Sequence, residues 1–388
     1  MFEMNKKITS FPSSLSFWEI DQYLTNIDLL VVGSGIVGLT SAIFFKKANP
    51  KAKVVVVERG LLPSGASTKN AGFACFGSLS EILADLKTSP EDEVFELIAK
   101  RVSGLYELKH LLGDESIGYS ACGGYEIFGD EDKELLEKCL DFLPKANQKL
   151  FDDLGLQNTY SLSSDDIKEL GFRNVSQLIL NQHEGSIDTG KMMNALIRLA
   201  SSLDIRILNS FEVSNWSDDA GGANVSFENG LTVKPRKLHF ATNGFAKKLM
   251  PELDVKPARA QVLITNEIPN LKVKGTFHLE EGFYYFRNMG NRILLGGGRN
   301  LDVTGETTTE LETTQLIQNK LNELLQEVIL PETPFEIEHR WAGVMGVGTK
   351  KKAIVKQFSD NVSCAVRLGG MGVAIGTLIG KESADMLT

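Results

Sequence analysis

The chain has 388 residues, enough for about two or three domains, and its hydrophobic content of 42% and charged content of 23% are those of an ordinary globular protein. A net charge of −9 leaves no basic footprint for nucleic acid. Four cysteines without C-x-x-C spacing and five histidines without an i, i+4 pair predict free thiols in a reducing cytoplasm and no metal site.

Residues 1–26 read as a polar extension. No apolar run follows Lys6 and Lys7, so no signal peptide is expected, and Phe17, Trp18 and Tyr23 are expected to tack the extension onto the domain. Residues 28–45 then give a buried strand, a glycine turn and a helix of small and apolar residues. The glycines fall as G-x-G-x-x-G at Gly33, Gly35 and Gly38. The first permits a tight turn, the second lets backbone approach a pyrophosphate, and the third lets helix pack on strand. A second buried strand over 53–58 ends in Glu58, 20 residues past Gly38, where a carboxylate binds a ribose diol. Strand, glycines, helix, strand and acid in this order predict a dinucleotide site. Asp28, Ser34 and the glycines interrupt the apolar run, so no membrane span is expected.

Residues 59–77 are too polar and glycine-rich for a strand, and a NAD-only domain would pass directly to its next strand and helix. A loop of small residues and hydroxyls suits close approach to a larger, flat ligand. Helical spacing follows over 91–112, a short strand over 125–128 and a helix over 131–153. Ser163-Ser-Asp-Asp166 supplies an N-cap and first-turn acids for another short helix. These pieces break the strand–helix alternation and predict the start of a second domain. The α/β pattern returns with a helix over 192–202 and strands near 204–208 and 211–213. Turns are expected at Gly221-Gly222 and at 228–230, then a strand over 237–240 that runs into Ala241-Thr-Asn-Gly244.

Residues 256–298 read as mostly β, with strands over 261–265, 283–287 and 292–295 and a hairpin through Met289-Gly-Asn291. An amphipathic helix is predicted over 310–329, with Leu311, Leu316, Leu321, Leu324, Leu325 and Val328 on its apolar face and Pro331 after its end. The C-terminal part carries 339–348 and then a strand, a glycine turn and a helix start over 367–376. Such a helix start offers free amides and a positive dipole end.

Taken together, these residues resemble the D-amino-acid oxidase/glycine oxidase superfamily of FAD-dependent oxidoreductases, over nearly the whole chain from about residue 27. The resemblance rests on the fingerprint at 33–38, Glu58, Gly65-Ala-Ser-Thr-Lys-Asn-Ala-Gly72, Gly185-Ser-Ile-Asp188, Ala241-Thr-Asn-Gly244, Trp341-Ala-Gly343 and Gly369-Gly-Met-Gly372. It implies an α/β fold in which a Rossmann-like FAD-binding domain is interleaved with an α+β substrate domain built on a large mixed sheet. The implied FAD-binding parts are 27–88, 176–248 and 342–388, and the implied substrate parts are 89–175 and 249–341. FAD would be held non-covalently. Gly33, Ser34, Gly35, Ile36, Val37 and Gly38 would hold its pyrophosphate, and Glu58 with Arg59 its adenosine ribose. Ser67, Thr68, Asn70, Ala71 and Gly72 would line the path to the isoalloxazine. Val213 would reach the adenine through its backbone, Ala241, Thr242 and Asn243 would close the strand end, and Gly346, Gly369, Gly370, Met371, Gly372 and Val373 would face the flavin N1–C2 edge.

The resemblance also implies oxidation of a C–N bond of an amine or amino acid by hydride transfer to flavin N5, giving an imine that hydrolyses. The acceptor would be O2 or another electron carrier, and no general base is assigned. Phe73, Tyr284, Tyr285 and Met345 would line the substrate pocket. Met345 and Gly370 stand where simple amino-acid oxidases place arginines that pair with the substrate carboxylate. In this respect the pattern is closer to amine-directed relatives such as γ-glutamylputrescine oxidoreductases. Arg287, Arg299 and Arg340 are candidate substitutes for the missing clamp. A hydroxy-acid or polyol oxidase and a flavoprotein electron-relay subunit remain as alternatives.

Overall fold

The computed structural model describes residues 11–163, 166–219 and 221–388. Lys6 and Lys7, and Ser164 and Asp165 of the expected N-cap, lie outside the described residues, as does the Asp166 side chain; the helix they precede is Asp166–Leu170.

The expected first strand and helix form as Leu29–Val32 and Ile36–Ala48. The strand is apolar at every position and buried throughout, as a strand covered on both faces must be. It sits inside a six-stranded sheet ordered 354–357, 362–366, 237–240, 29–32, 54–58, 206–209. All neighbours run parallel except Ile354–Gln357, which is antiparallel to Val362–Val366. In such a sheet, ligands bind beyond the carboxyl ends of the strands. Here those ends carry Gly33, Glu58 and Ala241 side by side.

The second large sheet has eight strands ordered 337–347, 256–265, 292–297, 284–289, 276–279, 124–128, 177–181, 160–162. It is mixed, because Thr276–Leu279 pairs parallel with Gly124–Phe128 while the other neighbours are antiparallel. Alternation gives it two distinct faces. One face carries Leu263, Phe277, Tyr284, Phe286, Ile293 and Leu295 onto the helix Gln315–Leu324 and the turn Leu325–Ile329. The opposite face carries Val262, Ile264 and Leu294, packed with Ala71, Phe73, Tyr285 and Trp341. The loop after Glu58 therefore lies against the second sheet. The Trp341 indole N–H donates to the Lys69 carbonyl at 3.0 Å, and a Cβ on Gly343 would stand 2.9 Å from Lys69 Cβ.

Two expectations are corrected. Phe17, Trp18 and Tyr23 are exposed at 45%, 71% and 40%; the N-terminal segment is anchored instead by Ile20, Leu24 and Ile27, which are buried. A capping box between Ser16 and Glu19 starts a turn that points the aliphatic residues inward. The amphipathic helix begins at Gln315, not 310, because Thr314 is its extended N-cap. Leu311 precedes it and Leu316 lies on its solvent side, at 38% and 54% exposure, while Ile317, Leu321 and Leu324 form the buried stripe.

Buried polar groups also fix this helix to the sheet. Arg259 donates to both carboxylate oxygens of Glu306, at 2.9 and 2.7 Å, and Gln261 bonds Glu306, Thr314 and Gln318. The helix Glu91–Leu112 passes the C-terminal helix Gly372–Leu387 so closely that any side chain on Gly104 would strike the Ala374 carbonyl.

Candidate functional site

The glycine fingerprint makes a cradle whose dimensions forbid side chains. Gly33 has φ +108, and a Cβ there would lie 2.8 Å from the Ala241 carbonyl. A Cβ on Gly35 would lie 2.7 Å from Ser67 Oγ, and one on Gly38 would collide with the Gly33 carbonyl. Gly35 is the N-cap of its helix and offers no side-chain cap, so the first-turn amides face outward for an anion. Ser67 Oγ accepts from one of them, Ile36 N, at 3.0 Å.

Glu58 ends its strand beside this turn. One carboxylate oxygen accepts from Ser34 Oγ at 2.8 Å, and the other from Gly60 N at 3.0 Å and Ser64 Oγ at 2.8 Å. Phe211 N donates to the Glu58 carbonyl, which brings the start of the strand Val213–Asp219 next to it. The Val213 side chain is buried in the apolar cluster beneath. The exposed Arg59 lays its guanidinium 3.7 Å over the Phe245 ring.

The loop beyond is held by its own amides and hydroxyls. Asn70 Nδ2 donates to the Ala66 and Ser67 carbonyls, while its Oδ1 accepts from Gly72 N and Thr189 Oγ1. Thr68 Oγ1 donates to the Pro63 carbonyl. Ala71 is buried against the second sheet, and Gly72 has φ +73.

The C-terminal glycine turn closes the other side. Asn243, at φ +43, accepts from Arg367 N and Leu368 N at 3.0 and 3.2 Å; Arg367 itself has φ +64. Two non-glycine residues in the left-handed region store strain here. Gly369 N donates to the Gly346 carbonyl, and a Cβ on Gly346 would lie 2.5 Å from Asn243 Oδ1. Gly370 faces Met345, whose sulfur would be 3.2 Å from an added Cβ. Met371 caps the final helix without a side-chain bond, and Gly372 and Val373 begin it. That helix crosses the fingerprint helix at Gly376, where a Cβ would stand 2.9 Å from Ile36. Thr242 Oγ1, beside Asn243, is buried and has no partner.

Two uncapped helix starts, a backbone cradle and an orphaned hydroxyl thus converge beyond the strand ends. They fit a dinucleotide cofactor with a long, flat second half. Cys75 is buried, and burial pushes its thiol well above the usual range, which leaves no nucleophile for a covalent link there.

The pocket residues divide. Phe73 and Tyr285 meet edge to face at 5.6 Å on the sheet face that looks toward the loop. Burial raises the Tyr285 hydroxyl to about 12. Met345 stands on the edge strand Ile337–Val347, beside Gly370. Tyr284 does not join them. It points to the opposite face and is 1% exposed in the cluster with Phe277 and Ile317. Adjacent residues of a strand cannot share a face.

The three candidate arginines also divide. Arg340 donates to Gln318, on the helix side of the sheet. Arg299 lies in a turn, Arg299–Leu301, beyond the strand Arg292–Gly297. Arg287 lies two residues from Tyr285 and on the same face. It is 6% exposed, its Nε has no hydrogen-bond partner, and no ion pair reaches it among the described residues. Its Nη2 lies 3.0 Å from where a Cβ on Gly72 would be. Burial pulls its affinity for the proton down, with Cys122 and Asp188 opposing. An isolated buried guanidinium is expensive, and it points to an anion.

Sequence reasoning overlooked Glu126, Glu184 and His278, all buried on this same side. The legible signal was Glu126 at an inward position of an otherwise aromatic and aliphatic strand. Among the described residues no helix is long and apolar enough to cross a membrane, and no group of three or more His, Cys, Asp or Glu residues is placed to hold a metal ion.

The family model of the FAD-dependent oxidoreductases (DAO) matches residues 28–386. No curated protein sequence matches. Among solved structures, glycine oxidase from Bacillus cereus superposes with a TM-score of 0.75 at 17% identity, over 93% of this chain and 94% of that one. L-Proline dehydrogenase from P. horikoshii gives 0.74 at 16% identity, over 94% of each chain. L-Amino acid deaminase from Proteus vulgaris gives 0.72 at 16% identity, again over 94% of each. At these identities the likeness is one of fold.

Proposed function

Since this chain belongs to the DAO family of FAD-dependent oxidoreductases, we propose that it oxidises the C–N bond of an amino acid whose carboxylate is held by Arg287. The observation that carries this reading is the buried, unpaired Arg287 guanidinium beside Phe73 and Tyr285. The named neighbours, a glycine oxidase, a proline dehydrogenase and an amino acid deaminase, all take amino acids and support it.

The residues divide the work. Gly33, Gly35 and Gly38 with the helix start at Ile36 would hold the pyrophosphate, and the path from Ser67 to Gly72 would lead to the ring system. Gly346 and 369–373 would stand at its far edge. Bound FAD supplies a two-electron acceptor. Arg287 orients the substrate through two parallel N–H···O bonds. Phe73, Tyr285 and Trp341 keep water from the reacting carbon. The amine must arrive without its extra proton, since an ammonium has no lone pair to assist loss of the α-hydrogen. Water then hydrolyses the imine product.

In this reading Met345 has lost the clamp role, and the carboxylate site has moved along the sheet to Arg287. The interleaved division into a FAD part and a substrate part, with the second sheet as the substrate part, belongs to the same proposal, as do a cytoplasmic location and O2 or another carrier as final acceptor. The test is anaerobic bleaching of the bound flavin by three matched panels: amino acids, the amines that lack their carboxylates, and hydroxy acids. Amino acids should bleach fastest. Bleaching by hydroxy acids alone would overturn the proposal.

A further inference from the structure

Behind Phe73 the sheet carries a row of ionisable side chains in register. Glu126, His278 and Tyr285 are direct neighbours across three adjacent strands and share one face. Residues so paired hold their Cβ atoms about 5 Å apart. The row begins in the interior, with Glu126 at 3% exposure, and ends at the pocket, where Tyr285 and His278 both meet the Phe73 ring edge-on. Glu184 reaches the same spot from the loop after Gln177–Asn181. Its Oε2 lies 4.0 Å from His278 Nε2, and its Oε1 accepts from Phe76 N and Gly77 N.

Both carboxylates and the imidazole line one small cavity of about 10 Å³, close to the smallest that admits a single water. Two atoms of cavity-lining residues have no partner: His278 Nε2 and Asn181 Nδ2. Glu126 is satisfied as an acceptor at both oxygens and Glu184 at Oε1. Glu126 takes bonds from Ser78 Oγ, Ser80 Oγ and Ser80 N. The cations near are Arg101, which donates to the Phe76 carbonyl and pairs with neither glutamate, and Arg287, on the same sheet face at the pocket end of the row. Other titratable groups turned toward the cluster are Cys75, Glu81, Cys139, Tyr160 and Tyr285. Two buried carboxylates and one imidazole thus place three proton-binding groups around one cavity.

We propose that Glu126, Glu184 and His278 form a buried store that holds one shared proton and accepts the proton which the substrate's ammonium group must lose, with Tyr285 as its contact to the pocket. The step balances: the ammonium N–H bond breaks and leaves its pair on nitrogen, the Tyr285 hydroxyl takes that proton as it gives up its own, and an N–H bond forms on His278. This inference rests on the reading that the substrate is an amine. Burial favours the same arrangement, since it raises Glu126 to about 7 and raises Glu184 against the pull of His278.

The test uses the holoenzyme and two readouts. Infrared difference spectra across neutral pH should contain the C=O stretch of a protonated carboxyl. Glu126→Gln should remove it and His278→Gln should shift it. Separately, the acidic limb of flavin bleaching by an amino acid should move toward alkaline pH by about one unit in His278→Gln, with the alkaline plateau and KM little changed. If that variant fails to fold, Tyr285→Phe should give the same displacement. A carboxyl band untouched by Glu126→Gln overturns the shared proton whatever the substrate. An intact, variant-sensitive band with unaltered acidic limbs overturns the accepting role. The same band in a protein whose flavin no amine bleaches overturns the accepting role together with the reading beneath it.

Discussion

Replacing Arg287 by leucine separates two accounts of a buried arginine. If the guanidinium waits for a carboxylate, Arg287→Leu should abolish the preference for amino acids over their decarboxylated amines. Removing one partner of a buried, hydrogen-bonded charge pair costs about 2–5 kcal/mol. At about 1.4 kcal/mol per factor of ten, kcat/KM for the amino acid should fall between about 30-fold and a few thousand-fold. The rate with the matching amine should change far less. The structure also fixes the sign of the stability change. Among the described residues Arg287 makes no ion pair, its Nε is unpartnered, and burial outweighs the pull of Cys122 and Asp188 on its charge. Leucine, shorter but apolar, removes a poorly compensated buried charge, and Tm should stay level or rise. Paired measurements of anaerobic flavin bleaching and thermal melting decide it. A variant that keeps its amino-acid preference, or that melts well below the parent while losing both substrates alike, would refute the carboxylate role.

Other expectations follow from the packing. Gly38→Ala drives a methyl group into the Gly33 carbonyl, so it should destabilise by about 3 kcal/mol and lower the flavin-to-protein absorbance ratio. His239 is fully buried between Ser41 and Ser363, and desolvation lowers it from 6.5 to about 3. The unfolded chain therefore binds this proton first as pH falls. Stability present above about 6.5 should be lost toward 3, by up to ~1.4 kcal/mol per pH unit, and denaturant melts of His239→Asn should be flatter over that window. Glu306→Gln, which leaves Arg259 buried and unpaired, should cost about 3–5 kcal/mol, whereas Arg259→Met with Glu306→Leu should come close to neutral in the same urea melts.

The glycine turn after the first strand was readable because backbone geometry dictates it. A glycine needed for φ +108 or for close approach has no substitute, so spacing alone located Gly33, Gly35 and Gly38. The substrate side was less readable because strand parity decides it. Tyr284 and Tyr285 are chemically equal in sequence, and only the register with Gly296 and His278 sends one to the helix side and the other to the pocket. The same parity distinguishes Arg287 from Arg340. Glu126, Glu184 and His278 come from distant parts of the chain; strand pairing makes Glu126 and His278 neighbours, and the loop after Gln177–Asn181 brings Glu184 to them. At Thr314 the signal was present, since a threonine before the periodic run marks an N-cap, but the leucines at 311 and 316 outweighed it.

The loop between Glu58 and Phe76 is anchored to the start of the helix Ile36–Ala48 through Ser67 and to the second sheet through the bond from Trp341 to Lys69. One strip of backbone thus borders both the glycine turn and the Phe73–Tyr285 face of the second sheet. Anything that tightens the strip from one side is felt on the other, and thermodynamic reciprocity makes the two effects equal. A carboxylate seated on Arg287, against Gly72, should tighten binding of the dinucleotide. Loss of the dinucleotide should weaken the carboxylate site by the same factor.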